Sequence, residues 1–174
     1  DSNSTHFAEV FSSLDCDILA LQEGVAVRTM QSIAGRMQCY LATFPSPCDW
    51  PGHVLSCYPV LESRVFSHAS PTEPIPPFSN CAGAALLQIE GETLWICDVH
   101  LITRDWEMRA REAAVLQQKV MELTRETDNI IVLGDFNLEA DETPHSALKE
   151  MDFSNAMEDR GGGIQATMDS FGIN

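Results

Sequence analysis

Phe7, Val10, Phe11 and Leu14 recur at the three- and four-residue spacing of a helix, with Ser2 or Ser4 in place to cap it. A compact apolar run, Asp17 to Glu23, follows and reads as a buried strand with Gln22 and Glu23 at its exit. From Gly24 onward Val27, Met30, Ile33, Ala34 and Met37 return to helical spacing. Between Cys39 and Phe78 the pattern is broken and proline-rich. Val54 to Tyr58 is a possible strand there, ended by Pro59, and Ser70 to Pro77 is a loop. Ala84–Ile89 and Thr93–Leu101 read as two strands of a hairpin joined across Glu90-Gly91-Glu92. Residues 104–127 form the longest expected helix, with Trp106, Ala110, Ala113, Leu116, Val120 and Leu123 as its apolar stripe. Ile130 to Asp135 is the most strand-like run of all, and its unbroken aliphatic character predicts burial on both faces. A short helix over residues 143–151, capped by Asp141 or Thr143, precedes a stretch from Gly161 to Asn174 with weak structural signals. Strands alternating with helices and hairpins imply an α/β fold with helix-covered sheets of mixed pairing.

Polar residues gather where the apolar strands end, which is where α/β proteins place ligands. After Gly134 come Asp135 and Asn137, a carboxylate and an amide two residues apart. Such a pair can deprotonate water or hold a cation while donating a hydrogen bond to a phosphate oxygen; it can equally shape a turn. Glu23 at its strand exit is either a solvated side chain or the single carboxylate that suffices to anchor Mg²⁺, an ion held largely by waters and substrate oxygens. On the strand from Thr93, alternation puts Leu94, Ile96, Asp98 and His100 on one side. His100 is a structural residue or a catalyst, and Asp98 is placed to orient it. His6, His53, His68 and His145 read as ordinary surface or loop residues.

Charge narrows the partners. Ten basic against 26 acidic side chains give a formal net charge of −16. Binders of long nucleic acids present basic surfaces, so a small phosphate ester suits this chain better than extended duplex DNA. The six cysteines form no C-x-x-C pair, which argues against zinc and thioredoxin-type sites. Cys16 and Cys97 lie beside or within apolar runs and are expected as free thiols of the core. No run approaches the roughly 18 apolar residues of a membrane span, and the first residues have no signal-peptide character.

Taken in order, five segments resemble the endonuclease/exonuclease/phosphatase superfamily. They are Asp17–Glu23 (its D-I-l-a-L-Q-E segment), Gly52–Val60 (G-x-x-l-S-R-Y-P-I), Val99-His100-Leu101, the helix residues Arg109, Glu112 and Leu116, and Asn129–Asn137 (p-v-I-l-x-G-D-F-N). The resemblance implies a four-layer sandwich, two packed mixed β-sheets flanked by helices as in DNase I, built by residues 1–174 as one domain. It implies Mg²⁺-dependent (or Mn²⁺-dependent) phosphoester hydrolysis, with Glu23 as metal ligand and Asp135 activating water. Asn137 holds a phosphate oxygen and His100 donates a hydrogen bond to the scissile phosphate. Cys57 stands where the family usually has Arg. The family's first strand, ending in Asn, and its closing Asp-His strand have no counterpart, so the 174 residues alone are expected to show little or no activity. A non-catalytic interaction module on the same fold is the alternative expectation.

Overall fold

The computed structural model describes residues 2–69, 74–138 and 143–160. They belong to two compact units, residues 1–137 and 138–174. The first unit runs α1 (Ser2–Ser12), β1 (Ile18–Leu21), α2 (Val27–Met37), β2 (Tyr40–Phe44), β3 (Gly52–Ser56), β4 (Val60–Val65), β5 (Ala82–Ile89), β6 (Glu92–His100), α3 (Trp106–Leu123) and β7 (Ile130–Asp135). The second holds α4 (Thr143–Glu150) and α5 (Ala156–Asp159), tied by a Lys149–Glu158 ion pair of 2.7 Å. The expected cap at Asp141 and the stretch 161–174 lie outside the described residues, as do 70–73 of the proline-rich loop.

Seven strands of the first unit make two sheets. One has the order β1-β3-β2 and is antiparallel throughout; the other has the order β4-β5-β6-β7, with only β6 and β7 parallel. Period-two alternation gives each sheet two apolar faces. Ala42, Phe44 and Val54 of the first sheet pack with Ala85, Leu87 and Ile96 of the second and with Cys81 beside it, forming the inner core. Leu55 faces the other way, against Ala8 of α1 and Met30, Ile33 and Ala34 of α2. On the far side of the second sheet Trp95, Cys97 and Val99 are fully buried, as are Leu116, Val120 and Leu123 of α3. The Arg64 guanidinium lies 4.6 Å over the Trp95 ring and makes two bonds, 2.7 and 3.0 Å, to Glu126 just beyond α3. The layers are therefore helix, sheet, sheet, helix, as expected.

Four local expectations fail. β7 is not buried on both faces: it pairs only with β6 among the described residues, and Ile131 is 45% exposed. Trp106 and Ala110 are outside the buried stripe of α3, Trp106 being 68% exposed; Arg109 and Glu112 are buried there instead. α1 buries Ser4 and Ala8, while Phe7, Val10 and Leu14 stay exposed. Cys97 is a core thiol, but Cys16 is exposed. The broken region contains β2 and β4 besides the expected β3, because short strands between prolines carry too few residues to show a period.

The buried charges of α3 hold the loop that enters β5 and the loop that leaves β6. Glu112 accepts the Ser79 N–H at 2.7 Å and the Ile102 N–H at 2.8 Å, while Arg109 donates to the carbonyls of Ile102 (3.2 Å) and Thr103 (2.6 Å). The carboxylate accepts one N–H at each of its two oxygens. Glu112→Gln turns one acceptor into a donor facing a buried N–H. We expect a loss of about 1–3 kcal/mol in urea unfolding; an unchanged midpoint would show that these bonds contribute nothing net.

Candidate active site

Three strand ends and one loop build the site. β6 and β7 run parallel in register, with Val99 opposite Gly134 and His100 opposite Asp135. Gly134 has φ +128°, and a Cβ there would lie 2.0 Å from the Val99 carbonyl oxygen. Glycine thus serves close approach of two strands, rather than the tight turn its place before Asp135 suggests. The Leu101 N–H then donates to the Asp135 carbonyl at 2.9 Å, extending the pairing past the imidazole.

Glu23 arrives from the other sheet. It follows β1 with φ +51°, a left-handed conformation uncommon for a residue with a Cβ. The next N–H, of Gly24, donates to the Pro51 carbonyl at 2.8 Å. A Cβ on Gly24 would sit 2.3 Å from the His53 ring. His53 is therefore no loop residue but a fully buried strut. Its Nε2 lies 2.8 Å from the Val25 carbonyl and must carry the proton; its Nδ1, 3.0 Å from Thr43 Oγ1, accepts. Burial lowers its pKa, which favours this neutral form. Among the other histidines, His6 and His68 are exposed, and the side chain of His145 lies outside the described residues.

His100 Nε2 lies 4.0 Å from Glu23 Oε1 and 4.0 Å from Asp135 Oδ2. These gaps are too long for hydrogen bonds, so the three groups face one another without closing on each other. Asn137 has φ +50°, not the extended backbone that would aim it alongside Asp135. Its N–H donates to Asp135 Oδ1 at 3.0 Å and its amide to the Leu101 carbonyl at 2.8 Å, leaving one amide hydrogen for a ligand. Glu23, His100, Asp135 and Asn137, spread over more than a hundred residues, thus meet at one place.

Asp98 does not orient His100. It accepts from Gln22 Nε2 at 2.5 Å and is fully buried, while His100 Nδ1 has no partner among the described residues. The ring is held instead by Trp50, stacked parallel to it (5° between planes) with centroids 6.0 Å apart. Trp50 and the Gln22–Asp98 bond escaped the sequence reading because both join segments with no shared period. Cys57 is exposed, so the substitution for the family's Arg leaves no buried vacancy.

Among the described residues no group of three His, Cys, Asp or Glu side chains can hold a metal ion by itself. One or two carboxylates facing open space are what Mg²⁺ uses when waters and phosphate oxygens complete its shell. Glu23 and Asp135, with side chains 60% and 39% exposed, fit that pattern. A cavity of about 450 Å³ beside Ile89, Leu94 and Ile130 lies at the opposite ends of β6 and β7 and contains none of these groups.

Two face-to-face sheets between helices, with acidic and amide side chains at the strand ends, define a DNase-I-like sandwich. The chain belongs to the endonuclease/exonuclease/phosphatase family, whose model matches residues 1–172. Among solved structures, the human Nocturnin catalytic domain with bound sulfate is 24% identical, with a TM-score of 0.67 over 83% of this chain and 60% of that one. The Bacteroides thetaiotaomicron mannosyl-6-phosphatase Bt3783 is 16% identical, with a TM-score of 0.63 over 85% of this chain and 61% of that one. ANGEL2, a 2′,3′-cyclic phosphatase in complex with adenosine-2′,3′-vanadate, is 16% identical, with a TM-score of 0.66 over 83% and 46%. The chain therefore spans about three fifths or less of the length of these structures, and at such identities the likeness shows the fold. No curated protein matches the chain significantly. No helix among the described residues is long and apolar enough to cross a membrane.

Burial pushes the Asp98 carboxyl up to about 7, and the Gln22 and His53 backbone hydrogen bonds pull it back only in part. A carboxyl raised on folding favours the folded state most below its ordinary value of 3.8, and this advantage disappears as pH rises through about 7. Asp98→Asn keeps an acceptor for Gln22 and has no charge to bury. We expect the variant to gain on the wild type by roughly 2–4 kcal/mol between pH 4 and pH 8 in urea unfolding. Parallel pH profiles for the two proteins would contradict this reading.

Proposed function

We propose that this domain hydrolyses a phosphoester with the help of Mg²⁺ (or Mn²⁺). One observation carries the reading: two carboxylates converge on His100, and among the described residues neither has an ion-pair partner other than that imidazole. An anionic ester approaching these groups alone is repelled. Glu23 would hold a divalent ion, which would supply the missing positive charge beside the phosphate oxygens and the leaving oxygen. The oxyanions bound to the folds of Nocturnin and ANGEL2, sulfate and an adenosine vanadate, accord with such a site.

The remaining work falls to the chain's own side chains. Asp135 takes the proton of a water as its oxygen bonds to phosphorus, and the ester P–O bond opposite breaks. Its carboxylate is aimed by the Asn137 N–H on Oδ1, which leaves Oδ2 toward His100. The free amide hydrogen of Asn137 and the Nε2–H of His100 donate to non-bridging oxygens, which gain charge in the transition state. The imidazole is oriented by packing against Trp50 and needs no carboxylate behind it. The net charge of −16 favours a small or short substrate over long duplex DNA.

Hydrolysis of a chromogenic phosphodiester by the intact gene product tests this directly. Turnover should require Mg²⁺ or Mn²⁺ and stop with EDTA, and Asp135→Asn should lower kcat by about 10²–10⁴-fold. Activity that survives chelation, or an Asp135→Asn enzyme within a few fold of wild type, would falsify the mechanism.

A further inference from the structure

The loop before β3 carries a tryptophan that packs against His100 and keeps a further exposed surface that neither the core nor the proposed chemistry uses. Trp50 is 47% exposed, and the indole lies against His100, whose Nε2 is 4.0 Å from each carboxylate. The ring is thus about one ring's width from the reacting groups, and about half of its surface faces solvent.

The backbone on either side is fastened. Trp50 precedes Pro51, which confines it to extended backbone. Pro51 in turn accepts the Gly24 N–H, next to Glu23. Two residues earlier, Cys48 Sγ donates to Asn80 Oδ1 at 3.3 Å, and Asn80 donates to the Leu101 carbonyl at 3.3 Å, beside His100. The indole is therefore held over the site before any ligand arrives, so little freedom is lost when one binds. Nor does the site offer much charge to grip an organic group, since the carboxylates repel anions and pair with no lysine or arginine among the described residues. Stacking supplies affinity without charge.

We propose that Trp50 is the aromatic wall of the substrate site, stacking a planar ring that the phosphoester carries beside its phosphate. The inference rests on the phosphoesterase reading and narrows it to ring-bearing esters, whether the ring is a nucleobase or a phenol.

Affinities of adenosine 5′-monophosphate, phenyl phosphate and glycerol 2-phosphate, measured by calorimetry in Mg²⁺, test it on wild type, Trp50→Phe and Trp50→Ala. The wild type should bind at least one of the two ring compounds about tenfold more tightly than glycerol 2-phosphate. Trp50→Ala should erase that preference, read as the ratio of affinities within each protein, and Trp50→Phe should restore most of it. Whichever ring compound binds tighter identifies the ring as base or phenol. Equal affinities in the wild type or a preference that survives Trp50→Ala would overturn the proposal; survival of the preference with all three ligands weakened alike would mean that the indole only packs His100. If no phosphate ester binds to any of the proteins, the proposal falls together with the reading beneath it. Loss of the ring preference alone leaves that reading standing.

Discussion

The contact between Gly134 and the Val99 carbonyl sets the position of almost everything else in the site. Only a residue without a Cβ lets β7 lie this close to β6, and only in that register does Asp135 come alongside His100. From there the backbone passes Asp135 and turns left-handed at Asn137, whose two hydrogen bonds reach back to Asp135 and to Leu101. Leu101 is held in turn through its neighbour Ile102, by Glu112 and Arg109 of α3. Three candidate residues are thus fixed by one parallel strand pair and the helix behind it. The fourth, Glu23, comes from the opposite sheet and depends on the packing of Phe44 and Val54 against Leu87 and Ile96.

That division explains how the two sheets serve the chemistry. Each contributes one carboxylate, and the inner core between them sets the spacing. Both Glu23 and Asn137 adopt left-handed backbone, which costs on the order of 1 kcal/mol at each. Strain of this kind persists only where surrounding bonds over-determine it, and it gathers where side chains must be aimed. At Glu23 those bonds are the Gly24–Pro51 hydrogen bond and the His53 strut, neither of which takes part in the proposed reaction.

Much of this was legible in the sequence, for physical reasons. β5, β6, α2 and α3 are long enough for their periods to show, and the polar residues at the strand exits stand out against apolar runs. The candidate residues stand out because Glu23, His100 and Asp135 each end such a run. What stayed hidden depends on tertiary partners. The exposure of Ile131 follows from the edge position of β7, which no local pattern encodes. His53 and Trp50 sit in the proline-broken region, where spacing carries no information, yet one is a buried strut and the other covers the imidazole. Asp98 shares a face with His100 as alternation requires, but the carboxylate is captured by Gln22, a residue 76 positions away.

The account turns on whether the carboxylates flanking His100 hold a divalent ion. Crystals soaked in Mn²⁺ and measured near the manganese absorption edge answer this directly. An anomalous peak about 2.0–2.2 Å from a Glu23 carboxylate oxygen, on the side facing Asp135 and lost in Glu23→Gln, is the predicted result. A fully occupied Mn²⁺ bound elsewhere, with none between Glu23 and Asp135, would contradict it.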